Sequence, residues 1–111
     1  MNIIKAKSWD DVSNNFTGKI ELVNRNFYWF KDGQRHREDG PAFIRRDGHK
    51  QWHLNGFCIW DSTEILDLTN QIVLSKSQHP EYPTVHVWKI LNKDGVYERI
   101  VIPGMEEHIT E

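Results

Sequence analysis

The sequence predicts an α+β fold, mainly β, in which an antiparallel sheet of hairpins carries one main helix. Three observations predict it. Aromatic residues are dense, with five Trp, five Phe and three Tyr in 111 residues, and such side chains favour half-buried pleated surfaces. Between residues 19 and 60, short apolar runs are punctuated by Asp-Gly and Asn-Gly pairs, which signal tight hairpins. After Trp60 the apolar spacing lengthens toward that of a helix. The length suits one domain over residues 1–111, and a core of this size needs no staples.

The elements follow in order. Ile3 and Ile4 open a short strand. Ser8, followed by Trp9-Asp10-Asp11-Val12, is an N-cap pattern with acids in the first turn, and Gly18 is placed to stop a short helix soon after Phe16. From Lys19 to Trp60 the pattern is β. Ile20 and Leu22 alternate with Glu21, Asn24-Arg25-Asn26 turns the chain, and Phe27-Tyr28-Trp29-Phe30 is strongly β-prone. Asp32-Gly33, Asp47-Gly48 and Asn55-Gly56 mark further turns. Ile65, Leu66, Leu68, Ile72 and Val73 then predict a helix over about 62–75. Val85 to Leu91 and Val96 to Ile102 flank Asn92-Lys93-Asp94-Gly95 as a C-terminal hairpin. Pro103-Gly104 ends order, and residues 105–111 form an acidic, frayed tail.

Bulk properties exclude several roles. A net charge of −2 exerts no global pull on nucleic acid or anionic membrane. The longest apolar runs, Phe27 to Phe30 and Phe57 to Trp60, fall far short of the roughly 20 residues that span a bilayer. One cysteine, Cys58, makes no intramolecular disulfide, and the first seven residues lack the apolar stretch of a signal peptide. The expected location is therefore cytoplasmic, with no membrane partner.

A repeat runs through the β region. Tyr28-Trp29-Phe30-Lys31-Asp32-Gly33 aligns with Gln51-Trp52-His53-Leu54-Asn55-Gly56 at a spacing of 23 residues. Each copy puts a Trp four residues before the Gly of a turn, so Trp29 and Trp52 should occupy equivalent places in successive hairpins. Periods of this size mark stacked units that share a core. With the intervening His36-Arg37-Glu38-Asp39-Gly40-Pro41-Ala42, residues 26–60 resemble the divergent MORN-like repeat (membrane occupation and recognition nexus) of small bacteriophage proteins. The resemblance implies a curved antiparallel sheet and a phage origin, hence a host cytoplasm. It carries no catalytic residues. After Gly56 the second copy departs from the pattern with Phe57-Cys58-Ile59-Trp60.

Candidate sites are few. In the Asp39-Gly40-Pro41 turn, Gly40 is expected in a conformation other residues avoid, with Pro41 opening the next strand. His49 and His53 lie four apart on a strand, about 13 Å, too far to share an ion, and no Cys/His cluster has ligand spacing. Cys58 sits in an apolar run as a small core hydrophobe, with no base beside it in the sequence. No phosphate-binding Gly-rich loop is present, so no cofactor is expected. Residues 25–53 hold seven cations against four carboxylates, a surplus of three, and they are also the aromatic stretch. Arginine beside aromatic rings on a sheet stacks bases or grips phosphates. The candidate binding residues are Arg35, His36, Arg37, Glu38, Arg45, Arg46 and His53.

The expected function is a non-enzymatic binding module. On the resemblance, it is a phage protein that binds a host protein and interferes with a host process or defence. The alternative is a nucleic-acid or nucleotide-signal binder using the same basic aromatic face. An enzyme is the weakest reading. If the basic face proves bland, the interface is to be sought around the C-terminal hairpin.

Overall fold

The structure is a computed structural model that describes residues 3–9 and 12–111. It is mainly β, and among the described residues no helix reaches seven residues. The chain divides into two compact units. One holds the residues up to Arg37 together with Pro41–Ser62. The other holds Glu38–Gly40 together with Thr63–Glu111.

The first unit is a seven-stranded sheet: β1 (Ile3–Ala6), β2 (Gly18–Leu22), β3 (Phe27–Lys31), β4 (Gln34–Arg35), β5 (Phe43–Ile44), β6 (Lys50–Leu54) and β7 (Phe57–Asp61). The order is β1-β2-β3-β5-β6-β7, with β4 also on β3. β1 runs parallel to β2 and the rest pair antiparallel. β4 and β5 are two halves of one strand. Arg35 lies opposite Phe30, the His36 amide donates to the Trp29 carbonyl, and Phe43 lies opposite Tyr28. Residues 37–41 leave the ladder between the two halves, and Ala42 rejoins it by accepting from the Trp29 amide at 2.8 Å.

Two turns set the register of the hairpins. Asp32 (φ 49°) with Gly33 (φ 79°), and Asn55 (φ 50°) with Gly56 (φ 85°), have positive φ at both positions. This is the type I′ geometry that matches the twist of paired strands. Arg25 (φ 68°) lies in the predicted turn at 24–26. Register places Ile20, Tyr28, Phe43 and Gln51 on one face. Trp29 and Trp52, each one residue along from a member of that row, both lie on the other face. They therefore hold equivalent places in the two hairpins, and both are buried. The first face carries the core of Ala6, Ile20, Leu22, Tyr28 and Phe43, with Val12, Phe16 and Phe30 packed on it. Trp9 meets Tyr28 edge-on at 4.7 Å. The short helix expected between Ser8 and Phe16 includes residues 10 and 11, outside the described residues. Among the described flanking residues, Val12 N–H donates to Trp9 O and Phe16 N–H to Ser13 O.

The second unit departs from expectation. No helix spans 62–75. Instead β8 (Leu66–Asp67) is followed by β9 (Ile72–Gln78). Asp67 Oδ1 accepts from both the amide (3.0 Å) and the hydroxyl (2.7 Å) of Thr69. This local turn competes with helical hydrogen bonding. Beyond it, β9 pairs with β10 (His86–Asn92), and β10 pairs on its other side with β11 (Gly95–Val101). The apolar spacing thus serves a strand whose partner lies more than ten residues ahead. The C-terminal hairpin itself stands where the sequence put it, with β10 central.

The tail is also corrected. Order does not end at Pro103-Gly104. Gly104 (φ 95°) leads into a 3-10 turn, Met105–His108, and β12 (Ile109–Thr110) pairs parallel with β8. Met105 is fully buried, and the Leu68 amide donates to Thr110 O at 2.6 Å. An apolar anchor and a strand bridge hold a segment that composition alone reads as frayed.

Candidate functional site

The basic stretch does not gather into one patch. Arg35, on β4, lies over the rings of Tyr28 (5.2 Å) and Phe43 (5.5 Å). Arg37 lies over Trp29 at 4.1 Å, and its guanidinium donates to Pro41 O at 3.1 Å. Tyr28 and Trp29 are adjacent on a strand and point to opposite faces, so the two arginines serve opposite sides of the sheet. Arg45 forms a two-bond pair with Asp47, at 2.9 and 2.7 Å. That contact first, then the His49 amide, lowers the Asp47 carboxyl to about 2. Arg46 is exposed, and its amide donates to Asn26 Oδ1.

His36 and Glu38 have structural partners. His36 is buried, and its Nδ1 accepts from the Asn55 amide at 2.9 Å, so it holds the second type I′ turn. Glu38 sits in the excursion from the ladder, and its carbonyl accepts from the Thr84 hydroxyl. Gly48 has the positive φ (96°) expected of it, whereas Gly40 does not.

The structure brings Arg35 and His53 together instead. The Arg35 carbonyl accepts from Gly56 N–H, and the His53 carbonyl accepts from Arg37 N–H. His53 continues into a polar row that the sequence reading missed. His53 Nε2 lies 3.1 Å from Gln51 Oε1. Gln51 Nε2 donates to Asp61 Oδ2 at 2.8 Å, and the same oxygen stands 3.2 Å from His49 Nε2. Residues 51 and 53 alternate on β6 and so share a face, and His49, one residue before the strand, reaches the same carboxylate. That signal was present in the sequence, but Asp61 lies beyond the point where the repeat was read to end. His53 is only 6 % exposed. Burial first, then Arg35, lowers its pKa from the usual imidazole value, against the pull of Asp61. An amide oxygen at Nε2 makes that nitrogen the donor. Nδ1 is then the lone-pair nitrogen, buried and without a hydrogen-bond partner among the described residues.

Cys58 is not a core residue. It is exposed, and β6–β7 register sets it directly opposite His53. Among the described residues, no three His, Cys, Asp or Glu side chains gather as a metal site, and no helix is long and apolar enough to cross a membrane. A cleft of about 200 Å³ opens between Trp9, Val12, Phe16, Phe30 and Gly33, and among the described residues no cation lines it.

The second unit presents a different surface. On the outer face of its three-stranded sheet, Ile72, Leu91 and Val96 align across β9, β10 and β11. Ile72 is 59 % and Val96 55 % exposed, and Leu74 stands out beside them where the β9–β10 register shifts. Lys89 and Glu98 face each other two ladder positions along, on the same face. The opposite face buries Trp88 and Ile90, with Lys76 over the Trp88 ring at 4.1 Å and paired to Glu111 at 2.9 Å. Compared with known proteins, the chain matches no family model, no curated protein and no solved structure.

Proposed function

We propose that the chain is a non-enzymatic binding module whose partner is a protein, met on the outer face of the β9–β10–β11 sheet. One observation carries the reading: an apolar row, with exposed Ile72 and Val96 on either side of half-buried Leu91, crosses all three strands and is extended by exposed Leu74. Aligned exposed apolar side chains on an open sheet mark interaction surfaces, while scattered ones do not. The resemblance of residues 26–60 to phage MORN-like repeats makes the partner a host protein and the role interference with a host process. Arg35 and Arg37 are engaged on rings at opposite faces, and Arg45 is engaged by Asp47. A continuous phosphate-binding face at residues 25–53 therefore has less support.

The test compares variants for capture of one partner from bacterial lysate. Ile72→Asp with Val96→Asp should abolish the capture seen with the unaltered chain and leave the melting temperature within a degree or two. Arg45→Glu with Arg46→Glu should leave capture intact. If the arginine pair abolishes capture, and salt weakens it steeply, the nucleic-acid or nucleotide reading takes its place.

A further inference from the structure

We propose that Cys58 is a modification site, a thiol that exchanges with small disulfides such as oxidised glutathione, with His53 as the base that takes its proton. The inference is independent of the protein-binding surface.

The pairing is built by the strand register. The two-residue Asn55-Gly56 turn sets Leu54 opposite Phe57 and His53 opposite Cys58, and the register shifts before Trp52 meets Trp60. Ile59 is the extra residue of this bulge. Bulges re-aim side chains, and here an unbroken ladder running out from Trp52–Trp60 would have put Ile59 opposite His53. Directly opposed residues have Cβ atoms about 4.5–5.5 Å apart. Cys58 Sγ donates to Trp60 O at 3.5 Å, so proton transfer to the opposed imidazole requires the thiol to change its staggered rotamer.

The base is prepared on its far side. Gln51 and Asp61 hold Nε2 as the donor, leaving a buried lone pair on Nδ1 with no hydrogen-bond partner among the described residues. A nucleophilic thiol, a base and a group that orients the base form the arrangement that activates sulfur. The thiol is the exposed member and the base the buried one, so a disulfide reaches sulfur from solvent while the proton moves inward. In the reaction, Sγ attacks one sulfur of the disulfide. The Sγ–S bond forms as the S–S bond breaks, and the departing thiolate receives the proton that His53 took. Cys58 sulfur is oxidised and the leaving sulfur is reduced, so no further oxidant enters.

The experiment uses the full chain, whose single cysteine makes every adduct a Cys58 adduct. Its rate of reaction with oxidised glutathione is followed by mass between pH 5 and 8, folded and in urea. The folded chain should react at least about tenfold faster than the unfolded chain at pH 7. Its rate should fall along an imidazole limb at acid pH. His53→Gln should remove both the excess rate and the limb. A folded chain no faster than the unfolded one overturns the proposal, as does a folded His53→Gln variant with unchanged rate and profile. If that variant does not fold, the comparison of folded with urea-unfolded chain decides alone.

Discussion

Asp32-Gly33 and Asn55-Gly56 each turn the chain in two residues, with the backbone already in the left-handed region at both positions. In the second unit, the segment from Thr63 to β9 has no such device. It turns at Asp67–Thr69 and at Leu68–Gln71, and it is held by strands that arrive later, β10 and β12. Hairpins with type I′ turns specify their own register. A segment without one takes the conformation its distant partners impose.

The largest expected effect tests the first half of that contrast. At Gly33 an added Cβ would stand 2.0 Å from the Asn14 carbonyl oxygen, and φ is +79°. Gly33→Ala should lower stability by more than about 2 kcal/mol in urea unfolding, through clash and left-handed strain together. Gly48 also has positive φ but faces open space, so Gly48→Ala should cost only about 1 kcal/mol. Equal losses at the two sites would mean that backbone strain alone sets the cost.

A smaller effect is expected from pH. Burial and Arg35 hold His53 below its usual value of 6.5. The unfolded chain therefore binds more protons in that range, and stability rises with pH. The contribution is fully present above about 6.5 and is lost as pH falls below it. Urea midpoints at pH 7.5 and 5.5 should differ in that direction, and His53→Gln should narrow the difference. An unchanged gap in the variant would assign the dependence to other groups.

The smallest effect sharpens the second half. Asp67→Ala removes the acceptor of both Thr69 bonds and should lower the melting temperature slightly without adding helical circular dichroism. Helix appearing in that variant would show that the Asp67 turn, not β10, keeps the segment extended.

The same contrast explains what was legible beforehand. The hairpins of residues 26–60, the equivalence of Trp29 with Trp52 and the C-terminal hairpin could be read because turn residues act on their own neighbours. The strand at 72–78 could not, because Ile65, Leu66, Leu68, Ile72 and Val73 fit a helical stripe as well as a strand, and only β10 decides between them. The tail misled because a single buried Met105 outweighs the surrounding charge. Within the candidate site, Arg35 and His53 were named, but their neighbours Gln51, His49 and Asp61 were not. That row depends on cross-strand register between β6 and β7, which a bulge alters. The two-residue turn sets Cys58 opposite His53, and the thiol is exposed where an apolar run had suggested burial.

The parallel bridge between β8 and β12 orders the folding of the second unit. Leu66 and Asp67 meet Ile109 and Thr110, so closing that contact costs the entropy of a long loop. The β10–β11 hairpin closes across two residues and has no such delay, because local contacts form on much shorter timescales. It is therefore the natural nucleus, with β9 adding next and the C-terminal segment locking last. Substitutions at Met105 or Ile109 should accordingly speed unfolding and leave the folding rate nearly unchanged.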